Sequence, residues 1–476
     1  MENQTPTFKK SLSGLSILSI GLGCVVGWSW IIYAGLWGST PGTLGGVLAF
    51  IIAGILCSFI GVVYAELTSI YPRAGGDAVF VFEGLGEIWS VIAGWCTAVL
   101  WIGLIFVEVM MIPVILDGLG IFVPQWGPLW NVGGNTVYLS YILISLVINL
   151  LFAYINYRGA EISGRVQTAS VFILFGAAVF FFVSGISLGS VENAKPFFTD
   201  ISGLTLIMLM VPSFLSGFNA IPQLAEEANI PPRNTGRAVV LTVWGSVIFY
   251  ILIILGLSFA APLSIRSGEG LVVIDGLNLL YRGSAAARSF VTFASLLGLL
   301  TSLNAAYAAG SRLLFSLGRA KFIPGNLDYI HPKYGTPSKV IWLLFALSTV
   351  WTFLGTSQFL FVGVTNVLSC FLIIAWILVT LSFLRLRKEK PHLERPYKVP
   401  AYKFFGALAL IYSIGYLLLY TPISPSGGLT PGEWIVFFVI AVLIAISIVL
   451  YRNREEKLTA DEIRQRLTGI PMEETE

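Results

Sequence analysis

The chain carries the run Gly21-Leu-Gly-Cys-Val-Val-Gly-Trp-Ser-Trp-Ile-Ile near its N-terminus and the run Met210-Val-Pro-Ser-Phe-Leu-Ser-Gly-Phe-Asn-Ala-Ile-Pro before its midpoint. Both runs place glycine and polar residues inside an apolar segment long enough to cross a hydrocarbon core of about 30 Å. Hydrocarbon cannot satisfy the backbone groups of an interrupted helix, so each break must face protein or a cavity. Paired breaks in two halves of a chain are typical of an inverted repeat with a solute site near the membrane midplane.

The composition around these runs excludes most classes of soluble protein. Of 476 residues, 56% are hydrophobic and 11% are charged, whereas soluble domains carry about 25% charged residues. The net charge of +3 is small, and without a dense basic face we expect no nucleic-acid partner. The four cysteines lie in apolar runs and the two histidines in polar connections, so we expect neither a disulfide framework, nor a metal site, nor a cofactor.

The apolar runs predict an all-α membrane protein with twelve transmembrane spans. The first run follows a polar start and is too long for the apolar region of a signal peptide, so we expect it to remain as a helix. The predicted spans are residues 15–38, 44–67, 88–117, 137–156, 165–188, 203–228, 237–261, 288–316, 339–356, 358–384, 404–421 and 434–452. The external connection 262–287 contains a short apolar stretch that we expect to pack over the bundle.

The basic residues predict the orientation. With both termini in the cytoplasm, 24 of the 28 Lys and Arg residues lie inside, and only Lys195, Arg266, Arg282 and Arg288 lie outside. This is the distribution of a multi-pass protein of the cell membrane. The predicted organisation is a cytoplasmic segment (1–14), two repeats of five spans (15–188 and 203–384), two further spans (404–452) and a cytoplasmic tail (453–476).

One acidic residue lies near the middle of a predicted span. Glu108 follows Trp101-Ile-Gly-Leu-Ile-Phe-Val in span 3, where an ionised carboxylate costs about 3 kcal/mol on insertion scales. We therefore expect it to face the protein interior. It is a candidate ligand for a substrate amine or a proton carrier; the alternative is a structural acid bonded to a neighbouring helix.

Several motifs resemble the amino acid–polyamine–organocation transporter superfamily. The stretch Tyr64-Ala-Glu-Leu-Thr-Ser-Ile-Tyr-Pro-Arg-Ala-Gly-Gly-Asp is similar to that family's segment between spans 2 and 3, and Gly217-Phe218 followed by Ala225-Glu-Glu is similar to its span 6. Ser311-Arg-Leu-Leu-Phe-Ser-Leu-Gly-Arg and Glu394-Arg-Pro-Tyr-Lys-Val-Pro match further segments. The resemblance implies a five-plus-five inverted repeat followed by two additional helices.

The same resemblance implies where a substrate binds. The family's Gly-Ser-Gly motif in span 1, whose amides hold a substrate carboxylate, corresponds here to Gly27, Trp28 and Ser29. The bulky Trp28 departs from that pattern and offers an aromatic face to an ammonium group, which together with Glu108 favours substrates bound largely through an amine. The predicted substrate-binding residues are Gly27, Trp28, Ser29, Glu108, Ser216, Gly217, Phe218 and Asn219.

The coupling ion stays open at this point. Many family members carry a lysine in span 5, where this chain has Leu174. The hydroxyls of Thr301 and Ser302, with span 1 carbonyls from Gly23 to Val26, are candidate ligands for Na⁺. The alternative is that these hydroxyls bond to the preceding helical turn. The sequence therefore leaves three mechanisms open: coupling to Na⁺, coupling to H⁺ through Glu108, and uncoupled exchange.

Two acids lie at the end of the inner half of span 6. Glu226 and Glu227 are predicted to form a cytoplasmic gate with basic residues on the same side, among them Arg73, Arg165, Arg233 and Arg237; the alternative is ordinary interfacial charge.

The sequence features together predict a secondary transporter for an amino acid or related amine. A non-transporting nutrient receptor of the same fold is the alternative, and a membrane enzyme is disfavoured because the sequence has no nucleophile or metal cluster. The exact substrate and the oligomeric state are left open.

Overall fold

The computed structural model describes residues 7–470, apart from 119–120, 122, 133–134, 269, 354–357, 425–427 and 455–457. The described chain is predominantly helical, with a single two-stranded hairpin as its sheet, which confirms the all-α class. Its helices are α1 (Gly14–Val26), α2 (Ser29–Ser39), α3 (Thr43–Ile70), α4 (Asp77–Leu85), α5 (Glu87–Gly118), α6 (Leu139–Arg158), α7 (Ala160–Leu188), α8 (Ile201–Leu215), α9 (Ala220–Leu224), α10 (Pro232–Ala260), α11 (Leu263–Arg266), α12 (Val272–Leu280), α13 (Ala285–Arg319), α14 (Ser338–Thr352), α15 (Gln358–Glu389), α16 (Tyr402–Leu418), α17 (Pro431–Arg452) and α18 (Ala460–Thr468).

The membrane-spanning helices follow the predicted order. Among the described residues, nine helical segments are long and apolar enough to cross a membrane, and the bent pair α1 and α2 forms a tenth. The predicted spans 339–356 and 404–421 correspond to α14 and α16, which have only 15 and 17 residues. The end of the first of these spans lies outside the described residues, so the total of twelve remains a prediction.

Three elements were not predicted from the sequence. A two-stranded antiparallel hairpin, β1 (Pro128–Val132) and β2 (Asn135–Tyr138), precedes α6. The Gly133-Gly134 pair between its strands is a hairpin signal that the hydropathy pattern hides. The short helix α4 follows the Gly75-Gly76 turn, and α18 lies in the C-terminal tail behind a Thr459–Glu462 capping box.

The connection 262–287, which was predicted to be external, packs over the bundle as expected. It forms α11 and α12, and Arg266 of α11 is 1% exposed. Its guanidinium donates to the carbonyl oxygens of Gly38 (2.9 Å), Asn193 (2.8 Å) and Lys195 (3.0 Å), which ties the end of α2 to the loop before α8. Burial lowers the pKa of Arg266.

The core of the bundle surrounds α1. This helix packs against α7, α10 and α13, while α5 packs against α13 and α15. The division into two repeats, two further spans and terminal segments remains a prediction. Of the predicted cytoplasmic segments, residues 1–6, 455–457 and 471–476 lie outside the described residues.

Candidate functional site

Span 1 is broken at the predicted position. Helices α1 and α2 meet at an angle of 59°, and Gly27 between them has φ +47°, a left-handed conformation that glycine adopts without strain. A Cβ at Gly27 would lie 3.7 Å from Ser302 Oγ, at ordinary contact distance. Backbone conformation, rather than crowding, therefore requires glycine at this position.

A tyrosine that sequence reasoning missed satisfies the backbone at this break. The hydroxyl of Tyr250, on α10, donates to Val25 O at 2.8 Å and lies 3.3 Å from Val26 O. It also lies 3.1 Å from Ser29 Oγ. Its only sequence signal is a polar atom in the middle of an apolar span, which is why its role emerges from the tertiary structure alone.

Span 6 departs from regular helix less than span 1 does. After α8 ends at Leu215, residues Ser216–Asn219 tighten into a 3₁₀ turn and the helix resumes as α9. A Cβ at Gly217 would lie 2.7 Å from Val25 N, so this glycine permits close packing against span 1. The two breaks are therefore paired in position but unequal in form.

A cavity of about 460 Å³ adjoins the break in span 1, a size suited to a small molecule. Among the described residues that line it, Glu108 is the only charged one. The other lining residues are Cys24, Val25, Val26, Gly27, Trp28, Ser29, Tyr33, Leu104, Val107, Leu206, Leu209, Met210, Ser213, Phe214, Ser302, Thr365, Asn366, Tyr416, Leu419, Tyr420 and Gly428.

The cavity collects part of the predicted site. Of the predicted substrate residues, Gly27, Trp28, Ser29 and Glu108 line it. The span 6 residues Ser216, Gly217, Phe218 and Asn219 are outside the lining set, and Ser213 and Phe214, about one turn earlier, take their place. The ring of Phe218 stacks on that of Trp376. That Ser216, Gly217, Phe218 and Asn219 contact substrate remains a prediction.

Glu108 faces the protein interior, as its position in the sequence predicts. It is 3% exposed, and Trp28 Nε1 donates to its Oε2 atom at 3.0 Å. An indole N–H can only donate, so it orients the carboxylate as an acceptor. Ser302 lines the same cavity. The arrangement presents one carboxylate within an otherwise largely apolar wall.

The hydroxyls proposed for Na⁺ bond to their own helix. Thr301 Oγ1 donates to Gly298 O at 2.8 Å, and Ser302 Oγ donates to Leu299 O at 2.9 Å. This is the packing arrangement that the sequence left open as the alternative. The hydroxyl oxygens retain lone pairs, so a role for Gly23, Val26, Thr301 and Ser302 in ion binding stays a prediction.

An uncharged amide lies beside the predicted ion site. Gln167 Nε2 donates to Thr301 O at 3.1 Å, and a Cβ at Gly23 would lie only 2.1 Å from this nitrogen. Asn304 Nδ2 holds Gln167 Oε1 at 2.8 Å. The space between α1, α7 and α13 therefore contains an amide network whose Nε2 donor points toward span 1.

The acids at the end of span 6 form buried ion pairs. Glu226 receives two hydrogen bonds at 3.1 Å from Arg319 Nη1 and lies 3.4 Å from Arg73 Nη1. Glu227 accepts from Arg312 Nε at 2.6 Å. Arg73 was among the predicted partners, whereas Arg312 and Arg319 were not. Arg165 pairs with Glu161, Arg237 lies near Asn234, and none of the ion pairs among the described residues joins Arg233 to either gate acid.

The N-terminal segment completes this closure. The amides of Ser11 and Leu12 donate to Glu227 O at 3.0 and 2.9 Å, and the amide of Phe8 donates to Glu226 Oε1 at 3.2 Å. The ring of Phe8 lies 4.7 Å from that of Phe315. The N-terminal segment therefore covers the paired acids, whereas the cavity lining extends toward the opposite end, to Leu206 on α8 and Leu419 just beyond α16.

Comparison with known proteins identifies the family. The amino acid permease family matches residues 12–447. The chain belongs to this family. It is therefore a multi-pass membrane transporter and not an enzyme, which confirms the resemblance found in the motifs.

The names of individual relatives refer to different transported solutes. The chain is 27% identical to a branched-chain amino acid permease of Lactococcus lactis, over 94% of the chain and 96% of that protein. It is 22% identical to a methylthioribose transporter of Bacillus subtilis, over 93% and 94%. It is also 25% identical to an aspartate-proton symporter of the same organism, over 85% and 78%.

Proposed function

We propose that this permease moves an amino acid or related amine across the cell membrane by alternating access. The observation that carries the proposal is the cavity beside the span 1 break, whose one charged lining residue among those described is Glu108. A carboxylate in a low-dielectric site binds an ammonium group through a strong, charge-assisted hydrogen bond. The aromatic faces of Trp28 and Tyr33 in the same wall add cation–π attraction.

The remainder of the cavity supports an apolar substrate side chain. Leu104, Val107, Met210 and Phe214 line it, and no basic side chain does so among the described residues. A substrate side chain that carries a carboxylate would find no partner there and would lie near Glu108. The α-carboxylate of an amino acid has the backbone around Gly27 and the hydroxyl of Ser29 as its candidate donors, because the hydroxyl of Ser302 already donates to Leu299 O.

We propose H⁺ rather than Na⁺ as the coupling ion. The Nε2 group of Gln167, beside Gly23, disfavours a cation in that space, because it donates to Ser19 O of span 1 at 3.4 Å and to Thr301 O at 3.1 Å and so places its positive end there. The name of one relative, an aspartate-proton symporter, supports the same choice. The cavity is proposed to open to the outside and both termini to lie in the cytoplasm, since that orientation places 24 of 28 Lys and Arg residues inside.

The test is uptake and binding by the Glu108→Gln protein in liposomes. Glutamine keeps the size of the side chain but removes its charge, so affinity for amine-bearing solutes should fall at least about tenfold. Tenfold is about 1.4 kcal/mol, a lower bound below the roughly 2–5 kcal/mol expected for an unpaired buried charge. The matched control is Asp117→Asn, an exposed acid on the same helix, which should behave as the unchanged protein.

Three results would contradict the proposal. Unchanged affinity in the Glu108→Gln protein would remove the carboxylate from the site. Binding without uptake in the unchanged protein would make the chain a receptor. Uptake that falls when choline replaces Na⁺, and that ignores an acid-outside gradient, would replace H⁺ by Na⁺ as the coupling ion.

A further inference from the structure

A second carboxyl group is fully buried outside the cavity. Asp77 is the first residue of α4 and is 0% exposed. Tyr64 of α3 donates a hydrogen bond to its Oδ1 atom, and Gln223 Nε2 of α9 donates to Oδ2 at 2.9 Å. Because α9 is in the inner half of span 6, Asp77 links the start of α4 to the short helix that immediately precedes the gate acids Glu226 and Glu227.

The contact between α4 and α9 is tight. A Cβ at Gly76 would lie 2.8 Å from both Pro222 Cβ and Gln223 Nε2. The amide of Ala74, three residues before Asp77, donates to Glu226 Oε2 at 3.0 Å. Any movement of α9 that opens the gate must therefore also separate Gln223 from Asp77.

Asp77 differs from the other buried acids on this side of the protein in having no cationic partner among the described residues. Glu226, Glu227, Glu66 and Glu83 each form an ion pair with lysine or arginine. The hydroxyl of Tyr64 can donate or accept, and the amide of Gln223 donates through Nε2 or, once rotated, accepts through Oε1, which has no hydrogen-bond partner among the described residues. They therefore suit Asp77 in its ionised and in its protonated form, whereas an arginine would accept only the ionised one.

The charged groups around Asp77 are already engaged with other partners. Cys96 of α5 and Tyr64 of α3 are the titratable groups that interact with it directly. On α13, α15 and α18 and in the turn before α4, the nearby cations pair instead with Glu226, Glu66 and Glu83; they are Arg73, Arg319, Arg387, Lys390 and Arg464.

We propose that Asp77 is a positioning residue of the transport cycle that holds a proton while α9 packs against α4 and releases it when α9 moves away. The proposal rests on the proposed function, since only a transport cycle requires α9 to move. On opening, the O–H bond of the carboxyl breaks and the proton passes to water. On closing, the carboxylate takes a proton from water.

The direction of the effect follows from linkage. Burial raises the pKa of Asp77 to about 6, although hydrogen bonds from Tyr64 and Gln223 oppose this rise. Helix α4 is not a membrane-spanning segment, and water that enters as α9 leaves would return the pKa toward its ordinary value of 3.8. The closed arrangement therefore binds the proton more tightly, so acid favours closing of the inner side and alkali favours opening.

The experiment measures access to the inner side without any substrate. A single cysteine, Ala225→Cys beside the gate acids, is placed in a protein whose four native cysteines are alanine. Labelling by a membrane-impermeant maleimide is followed in inside-out vesicles between about pH 5 and pH 8. Labelling, corrected for thiol ionisation with an exposed Glu394→Cys reporter, should rise with a midpoint near pH 6.

Variants of Asp77 decide the outcome. Asp77→Asn cannot ionise and should give low labelling that is independent of pH, while Asp77→Glu should retain the dependence. Tyr64→Phe removes a donor that favours the ionised form, so the midpoint should move upward by about one pH unit. Unchanged pH dependence in the Asp77→Asn protein, or an unmoved midpoint in a folded Tyr64→Phe protein, would overturn the proposal.

The two proposals fail separately. Glu108→Gln should lose amine affinity but keep the pH-dependent labelling, because Glu108 lines the cavity rather than the contact between α4 and α9. If the unchanged protein transports no amine while Asp77→Asn still abolishes the pH dependence of labelling, that result would remove the proposed function but leave the role of Asp77 intact. Amine uptake by the unchanged protein, together with pH-dependent labelling that Asp77→Asn does not alter, would support the proposed function and remove the role of Asp77.

Discussion

Two glycines bring the backbone of α13 against the break in span 1. Gly27 supplies the left-handed turn, and Gly298 on α13 faces it so closely that a Cβ there would lie 2.0 Å from Gly27 O. The contact joins the break to the helix that carries Thr301 and Ser302. The absence of a side chain at Gly298 therefore allows α13 to approach the break in span 1 this closely.

At this scale we expect Gly298→Ala to displace α13 from the break. Overpacking of this kind costs about 1–3 kcal/mol, so the unfolding temperature in detergent should fall and substrate affinity should weaken. The matched control is Gly176→Ala on α7, where a Cβ would meet nothing within 4 Å. Equal unfolding temperatures for the two variants would contradict the close contact.

The predicted gate joins several elements through buried charge. Helix α13 supplies Arg312 and Arg319, the end of span 6 supplies Glu226 and Glu227, and the N-terminal segment covers the pairs. A buried ion pair is not strongly stabilising as a whole, but breaking it leaves an uncompensated charge. Such a gate is therefore held shut by the penalty for separating its charges without water.

Removing one member of the Arg312–Glu227 pair should lower the free energy of unfolding more than removing both. Arg312→Gln leaves Glu227 buried and unpaired, at about 3–5 kcal/mol, and the double variant with Glu227→Gln should recover part of that loss in a thermal-unfolding cycle. The control is Arg165→Gln, whose pair with Glu161 is exposed and worth about 0–1 kcal/mol. Additive losses across the cycle would show that the pair is not coupled.

For the whole molecule, the cavity lining extends from the break in span 1 away from the paired acids of the predicted gate. The cavity lining reaches Leu419 beyond the end of α16, whereas the gate lies beside the segment before α1 and the C-terminal helix α18. With the proposed orientation, the cavity lining extends toward the outside and the paired acids lie toward the cytoplasm.

Labelling from the two sides of the membrane tests this orientation. In a background without native cysteines, Leu419→Cys should react with an impermeant maleimide in intact cells, because its side chain lines the proposed external cavity. Glu394→Cys, an exposed position on the opposite side, should react only in inside-out vesicles. The reverse pattern would place both termini outside.

Much of this architecture follows from local sequence. Apolar runs of membrane length predict helices because backbone groups in lipid must bond within their own helix. The glycines at positions 21, 23 and 27 predict the break, and the cost of a charge in lipid predicts that Glu108 faces inward. Each of these inferences depends on a residue and its immediate neighbours, so the sequence alone was sufficient.

Only the tertiary structure decided which buried polar side chains form hydrogen bonds and ion pairs with one another. Tyr250 at the break, Arg312 and Arg319 at the gate, and the Tyr64–Asp77–Gln223 contact each join residues that are distant in the chain. Hydropathy reports whether a side chain is buried but not which buried group it meets, because that depends on how helices cross and rotate. The sequence therefore determined which residues enter the membrane, and only the packing of the helices decided which polar atoms lie within hydrogen-bonding distance of one another.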